Sequence, residues 1–313
     1  MTLNMTNKKL QLRPLLHLVV LPLALVCAAS AVKAQLRYAG SDTVEPVIEA
    51  AHVAYLRGHA GYKMQMQALG TSSGLRELCT GRAALVGASR PIKTEEVKTC
   101  AAAGVQYAEI PVALDAVVLA VSTKNTWLKE LTLAEARTLF DPQSSNKLLS
   151  WKQVRASFPD VPIRTAGPDI KHGTFGFFTE NLGLKGFIRS DFKDFTTHAA
   201  TGRFVAGDVG AIGFMPMGDA NAMDGQVRVL ALDMGAGPIT PSQDEVMSGR
   251  YDKLSRTVYL YINSALLAKG NAQDIEFAQL LIKDMEKFVR FANLIPLRGL
   301  QYQENFKRLS LSR

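Results

Sequence analysis

Apolar residues along the chain alternate with polar turns in a recurring order: a short extended run, a turn of glycine and hydroxyl residues, then apolar positions at helical spacing. Residues 36–39 read as a strand, Gly40-Ser41-Asp42-Thr43 as its turn, and Val44, Val47, Ile48, Ala51 and Tyr55 as one face of a helix. The order repeats at residues 64–69, where Gly70-Thr71-Ser72-Ser73-Gly74 precedes a helix from Leu75 that reaches Cys79. It repeats again at residues 84–88, followed by Ser89-Arg90-Pro91 and a helix capped by Thr94-Glu95-Glu96 that carries Cys100. Residues 105–111 and 116–121 read as successive strands with Leu114-Asp115 between them, where the chain is expected to cross from one lobe to another. Residues 132–140 are a predicted helix, 161–166 a strand, and 167–172 a polar loop feeding a helix over 173–180. Strands at 211–215 and 227–232 are expected to carry the chain back. Residues 274–291 form the strongest predicted helix, with Ile275, Ala278, Leu281, Ile282, Met285, Phe288 and Val289 on one face. Alternating strands and helices imply parallel sheets covered on both faces, with any ligand beyond the carboxyl ends of the strands.

Residues 1–34 stand apart from this pattern. Lys8, Lys9 and Arg13 precede an apolar run over residues 15–31 that closes on Val32-Lys33-Ala34, the order of a cleaved signal peptide. A membrane anchor is the alternative, since the run approaches the ~20 residues that span a bilayer, but Pro22 and the small-residue end favour cleavage. Lipidation at Cys27 is disfavoured by the bulk of Val26. Four of the 36 Lys and Arg lie in this leader with no acid, so a net charge of +8 becomes +4 without it. The remaining cations are scattered, which suits a small anion better than nucleic acid. The 313 residues are enough for two lobes or one large α/β domain. Cys79 and Cys100, the cysteines beyond the leader, are expected to bridge in an oxidising compartment, two buried thiols being the alternative.

Three turns, at residues 40–43, 70–74 and 167–174, combine glycine with hydroxyl side chains directly before a helix. A helix start offers unpaired N–H groups and the positive end of the dipole, glycine allows close approach, and Ser or Thr adds a neutral donor. Each turn alone is an ordinary capped helix; three together predict a converging oxyanion site.

The ordered set Gly40-Ser41-Asp42-Thr43-Val44-Glu45-Pro46, Gly70-Thr71-Ser72-Ser73-Gly74, Gly87-Ala88-Ser89-Arg90-Pro91-Ile92 and Gly173-Thr174-Phe175 resembles periplasmic phosphate-binding proteins of ABC transporters. Gly207-Asp208, Ala211-Ile212-Gly213-Phe214, Pro241-Ser242, Gly249, Tyr251 and Leu254-Ser255-Arg256 extend the resemblance over residues 38–261. It implies an α/β, type II periplasmic binding fold: two lobes, each a mostly parallel sheet flanked by helices, joined by a two-strand hinge. Residues 35–113 and 229–313 would form one lobe and 114–228 the other. It implies phosphate held between them by Thr43 and the N–H of Val44 and by Thr71 and Ser72, with Ser89 and Arg90 at the rim or inside, and from the other lobe by Gly173 and Thr174; Ser41 beside Thr43, and His172 directly before Gly173, are further expected contacts. No cofactor or metal is expected. The partners implied are inorganic phosphate or a related oxyanion and an inner-membrane ABC permease, for a monomeric periplasmic protein that binds no nucleic acid.

The chain departs from that family where a serine, often with an acid before it, usually precedes the second-lobe Gly-Thr; here Lys171 and His172 stand instead. Arg90 stands where one branch has a proton-accepting aspartate, although other members share Ser-Arg-Pro. Asp115 reads as a structural acid at the hinge or as a proton-accepting ligand group, and Arg76 and Arg256 as surface or inter-lobe charges. A competing function is an exported ester or phosphoester hydrolase, because Gly70-Thr71-Ser72-Ser73-Gly74 fits Gly-x-Ser-x-Gly with Ser72 as nucleophile and His172 or His198 as base. A sensor or another oxyanion binder on the same fold is the third.

Overall fold

The computed structural model describes residues 1–2, 35–299 and 301–305; the predicted leader, apart from its first two residues, lies outside the described residues. The first strand–turn–helix units fold as expected. They comprise β1 (Leu36–Gly40), α1 (Glu45–Leu56), β2 (Met64–Ala68), α2 (Thr71–Cys79), β3 (Leu85–Ala88) and α3 (Thr94–Ala102). In α1 the spacing of Val47, Ile48, Ala51 and Tyr55 puts all four in the core. A Cβ on Gly40, whose φ is +126°, would run into the Gly87 carbonyl, so only glycine lets β1 turn towards its helix here. Cys79 and Cys100 are joined in a disulfide that ties α2 to α3.

Next comes β4 (Ala108–Ser122), a single strand of 15 residues where two had been expected. Asp115 looks like a break in the sequence, but Arg256 pairs with it across the neighbouring strand, so the charge stays inside the ladder. Beyond β4 lie β5 (Glu130–Thr132), α4 (Leu133–Phe140), β6 (Arg164–Pro168), α5 (Gly173–Asn181), β7 (Lys193–Phe195), α6 (His198–Gly207), β8 (Ala211–Pro216) and α7 (Met217–Ala222). The predicted strand over 227–232 is two short ones, β9 (Val227–Val229) and β10 (Ala231–Asp233), because β9 pairs with β4 while β10 turns away to pair with β5 and β11 (Pro238–Ile239). After α8 (Gln243–Met247), β12 (Ser255–Ile262) rather than residues 211–215 or 227–232 brings the chain back, lying between β3 and β4. The chain ends in α9 (Ser264–Ala268), α10 (Ala272–Lys283), α11 (Met285–Phe291) and β13 (Ile295–Pro296). The helix predicted over 274–291 is thus broken at Asp284, which leaves helical geometry. Leu281, Ile282, Met285, Phe288 and Val289, on either side of the break, share one core.

Strand order in the main sheet is β2-β1-β3-β12-β4-β8-β6-β7. Outer pairs are parallel and the pairs flanking β4 antiparallel, so each lobe is a mixed sheet rather than a mostly parallel one. One core gathers Tyr38, Val47, Ile110, Leu260 and Phe288; another gathers Val118, Phe140, Phe178, Phe214 and Ile212. Leu230, Leu232, Val246, Tyr251 and Leu254 pack in the second of these cores. Among the described residues no helix is long and apolar enough to cross a membrane.

Candidate functional site

The turn after β1 is wound on its own side chains. Ser41 N–H donates to the Gly87 carbonyl at 2.9 Å, and Thr43 N–H donates to Ser41 Oγ at 3.2 Å and Asp42 Oδ1 at 3.0 Å. Beneath it the Tyr38 hydroxyl donates to the Ser41 carbonyl at 2.7 Å; burial, then Glu45 and Asp42, pushes that phenol well above its ordinary range, keeping it a neutral donor. Gly70 N–H donates to the Gly40 carbonyl at 2.8 Å, which sets the start of α2 beside this turn. There Thr71 Oγ1 accepts from Ser89 N–H at 3.0 Å and shares a hydrogen bond with Ser89 Oγ at 3.0 Å. Three turns from successive strands are therefore tied into one surface of hydroxyls.

The other lobe meets that surface at Gly173, the first residue of α5. A Cβ built there would stand 3.4 Å from Asp42 Oδ1 and 3.8 Å from Ser89 Oγ, ordinary contact distances that place the start of α5 directly against both first-lobe turns. Arg256, 9% exposed, lies at the junction. Its guanidinium pairs with Asp115, itself 2% exposed, at 3.0 Å, donates to Thr43 Oγ1 at 3.3 Å and to the Gly173 carbonyl at 3.4 Å, and covers the Phe177 ring at 4.4 Å. A nearly buried cation held by one acid retains donor capacity for an anion, because guanidinium has five N–H groups. Adjacent is a cleft of about 310 Å³ lined by residues that include Asp42, Thr43, Asp115, His172, Thr174 and His198.

The family described as PBP superfamily domain matches residues 27–284. The chain belongs to this family. Protein SphX of Synechocystis sp. is 30% identical over 301 residues, covering 94% of this chain and 89% of its own length. The phosphate-binding protein PstS of Staphylococcus epidermidis is 29% identical over 257 residues, 82% of this chain and 77% of that one. Among solved structures, a possible phosphate binding protein from Planctomyces limnophilus superposes with a TM-score of 0.74 at 25% identity, over 90% of this chain and 99% of that chain. The two-lobed α/β class of the PBP superfamily, expected from the ordered turns, is the fold observed.

Within that frame the structure brings Ser41, Thr43, Thr71, Ser89, Gly173 and Thr174 together and assigns other predicted residues to different work. Val44 is buried and its N–H donates to the Ser41 carbonyl at 3.2 Å, inside the turn. Arg90 forms a two-pronged ion pair with Glu96 at 2.8 and 2.9 Å and donates to Ser72 Oγ at 3.0 Å, so both are committed to the first lobe. The hydrogen bond from Arg90 holds the Glu96 carboxyl below its usual range and raises the guanidinium. His172 turns Nε2 to the Thr196 carbonyl at 3.1 Å and Nδ1 to Asp42 Oδ2 at 3.4 Å. Lys171 is exposed. Of the two places expected for Arg256, surface or between the lobes, the structure shows the second. Its signal was an aspartate inside an apolar stretch and an arginine at the start of a later apolar strand, which neutralise one another when those strands pair.

Proposed function

We propose that this protein captures phosphate between its lobes as a periplasmic receptor for an ABC permease of the inner membrane. The observation that carries this reading is the convergence of the turns at Thr43, Thr71 with Ser89, and Gly173 with Thr174 about Arg256. Its relatives include proteins named as phosphate-binding, and neutral hydroxyls with one nearly buried guanidinium suit a dehydrated oxyanion. The packing supports lobes of residues 35–116 with 255–305, and 117–254, moving about β4 and β12. Residues 1–34 would be removed on export, leaving a monomer.

The hydrolase reading is weaker on this geometry. Ser72 Oγ accepts from a guanidinium rather than facing a base, and the histidines considered for that role face Asp42 and Asp219. Titration calorimetry with phosphate, arsenate, sulfate and vanadate tests the proposal. Phosphate should bind, and Thr43→Ala and Thr71→Ala should each weaken it by about 1–3 kcal/mol through unpaired oxygens. Heat from none of the four anions, or silence of both variants, would overturn it.

A further inference from the structure

His172 directly precedes α5 in the second lobe, and Asp42 lies in the turn after β1 in the first. Both ring nitrogens of His172 face oxygens that can only accept. Nε2 is 3.1 Å from the Thr196 carbonyl and Nδ1 is 3.4 Å from Asp42 Oδ2. A neutral imidazole carries one N–H and can satisfy one of these; the doubly protonated ring satisfies both. The contact between the lobes is thus written for an imidazolium.

We propose that Asp42 and His172 form a proton-dependent clasp that closes the lobes and tunes ligand affinity, with His172 a positioning residue rather than a ligand. This rests on the phosphate-capture reading for its effect on affinity. The surroundings match. His198, at the start of α6, stacks obliquely 5.0 Å from the His172 ring, and its own Nδ1 is held by Asp219 of α7 at 2.8 Å. The neighbouring charged groups along the chain are Lys171, which is exposed, and Asp169, whose carbonyl accepts from His172 N–H, and the Arg256 guanidinium bonds the carbonyl of the next residue, Gly173. Each acid lining the cleft therefore has its own cationic or imidazole partner: Asp115 with Arg256, Asp219 with His198, and Asp42 with His172.

When His172 loses its proton, two effects act in the same direction. The inter-lobe attraction goes, and Asp42 is left as an unbalanced carboxylate beside an incoming oxyanion. The contact holds the lobes only while the ring carries both protons, so it is present in acid and weakens as the ring becomes neutral at higher pH.

The test is phosphate affinity of the full secreted chain from pH 5.5 to 8.5, by calorimetry, for the parent, His172→Gln, Asp42→Asn and His172→Lys. Comparing ratios at each pH cancels the titration of phosphate itself. The parent's advantage over His172→Gln and Asp42→Asn should shrink roughly three- to fivefold across that range, the upper end for a part-exposed ion pair. His172→Lys, permanently charged, should keep its affinity relative to the parent or gain on it at pH 8.5. X-ray scattering of ligand-free protein gives a readout independent of phosphate: the parent should expand as pH rises, whereas His172→Gln should not respond. Parallel pH profiles for parent and His172→Gln, together with pH-independent scattering, would sink the clasp. Absence of phosphate binding by every form would instead sink the phosphate reading, and the scattering comparison would still decide the clasp.

Discussion

Arg256 and Asp115 show how much one residue pair can carry in this protein. Asp115 is buried and Arg256 nearly so at the point where the lobes meet, and the guanidinium touches Thr43 on one side and the Gly173 carbonyl on the other. Removing the cation alone leaves a carboxylate uncompensated in the interior, a loss on the order of 3–5 kcal/mol. Arg256→Met should therefore lower the urea midpoint sharply, and adding Asp115→Asn to it should recover much of that loss while phosphate binding stays weak. Equal stability of the single and double variants would show that the pair is not the source of the effect. This pair was also the least legible part of the site. Thr43, Thr71 and Gly173 announce themselves through neighbours within a few residues, as glycine, hydroxyl and helix start follow one another. Asp115 and Arg256 are 141 residues apart, and their relation exists only once β12 lies against β4.

At the scale of elements the same division holds. The helices α1 and α5 start where their turns predict, because helical periodicity is a local property of the chain, whereas α2 begins at Thr71, four residues before the expected Leu75, and takes most of its glycine-hydroxyl turn into its first turn. The continuity of β4, the break between α10 and α11, and the parting of β9 from β10 follow from which partner each segment finds, which short-range pattern does not encode. The disulfide lies between these cases: the even cysteine count pointed to it, and α2 and α3 bring the sulfurs together across 21 residues. Closing such a loop adds roughly 3 kcal/mol by limiting the unfolded chain, so Cys79→Ser with Cys100→Ser should lower the melting temperature by roughly 5–10 °C. Because α2 carries Thr71 at its start, the variant should also bind phosphate less tightly. A melting curve matching the parent's in non-reducing buffer would mean that the bridge is absent in solution.

For the molecule as a whole, a ligand that prefers the closed arrangement must draw the lobes together, since it shifts the equilibrium only by its differential affinity. Phosphate at about 100 times Kd should add about 2.7 kcal/mol to stability and reduce the radius of gyration, measured by thermal melts and X-ray scattering. Stabilisation without compaction would mean that binding takes place in a molecule already closed. The strand order adds a constraint on how that molecule is made. β12 fills the place between β3 and β4, yet it is synthesised 132 residues after β4 ends, from Ser255 onward. Until it emerges, the facing edges of β3 and β4 lack their partner, while residues up to 254 already contain the strands of the second lobe's sheet. The first lobe begun is thus the last completed. A nascent chain of this topology reaches the end of its synthesis with one sheet still open, and remains vulnerable to mispairing until nearly its whole length is available.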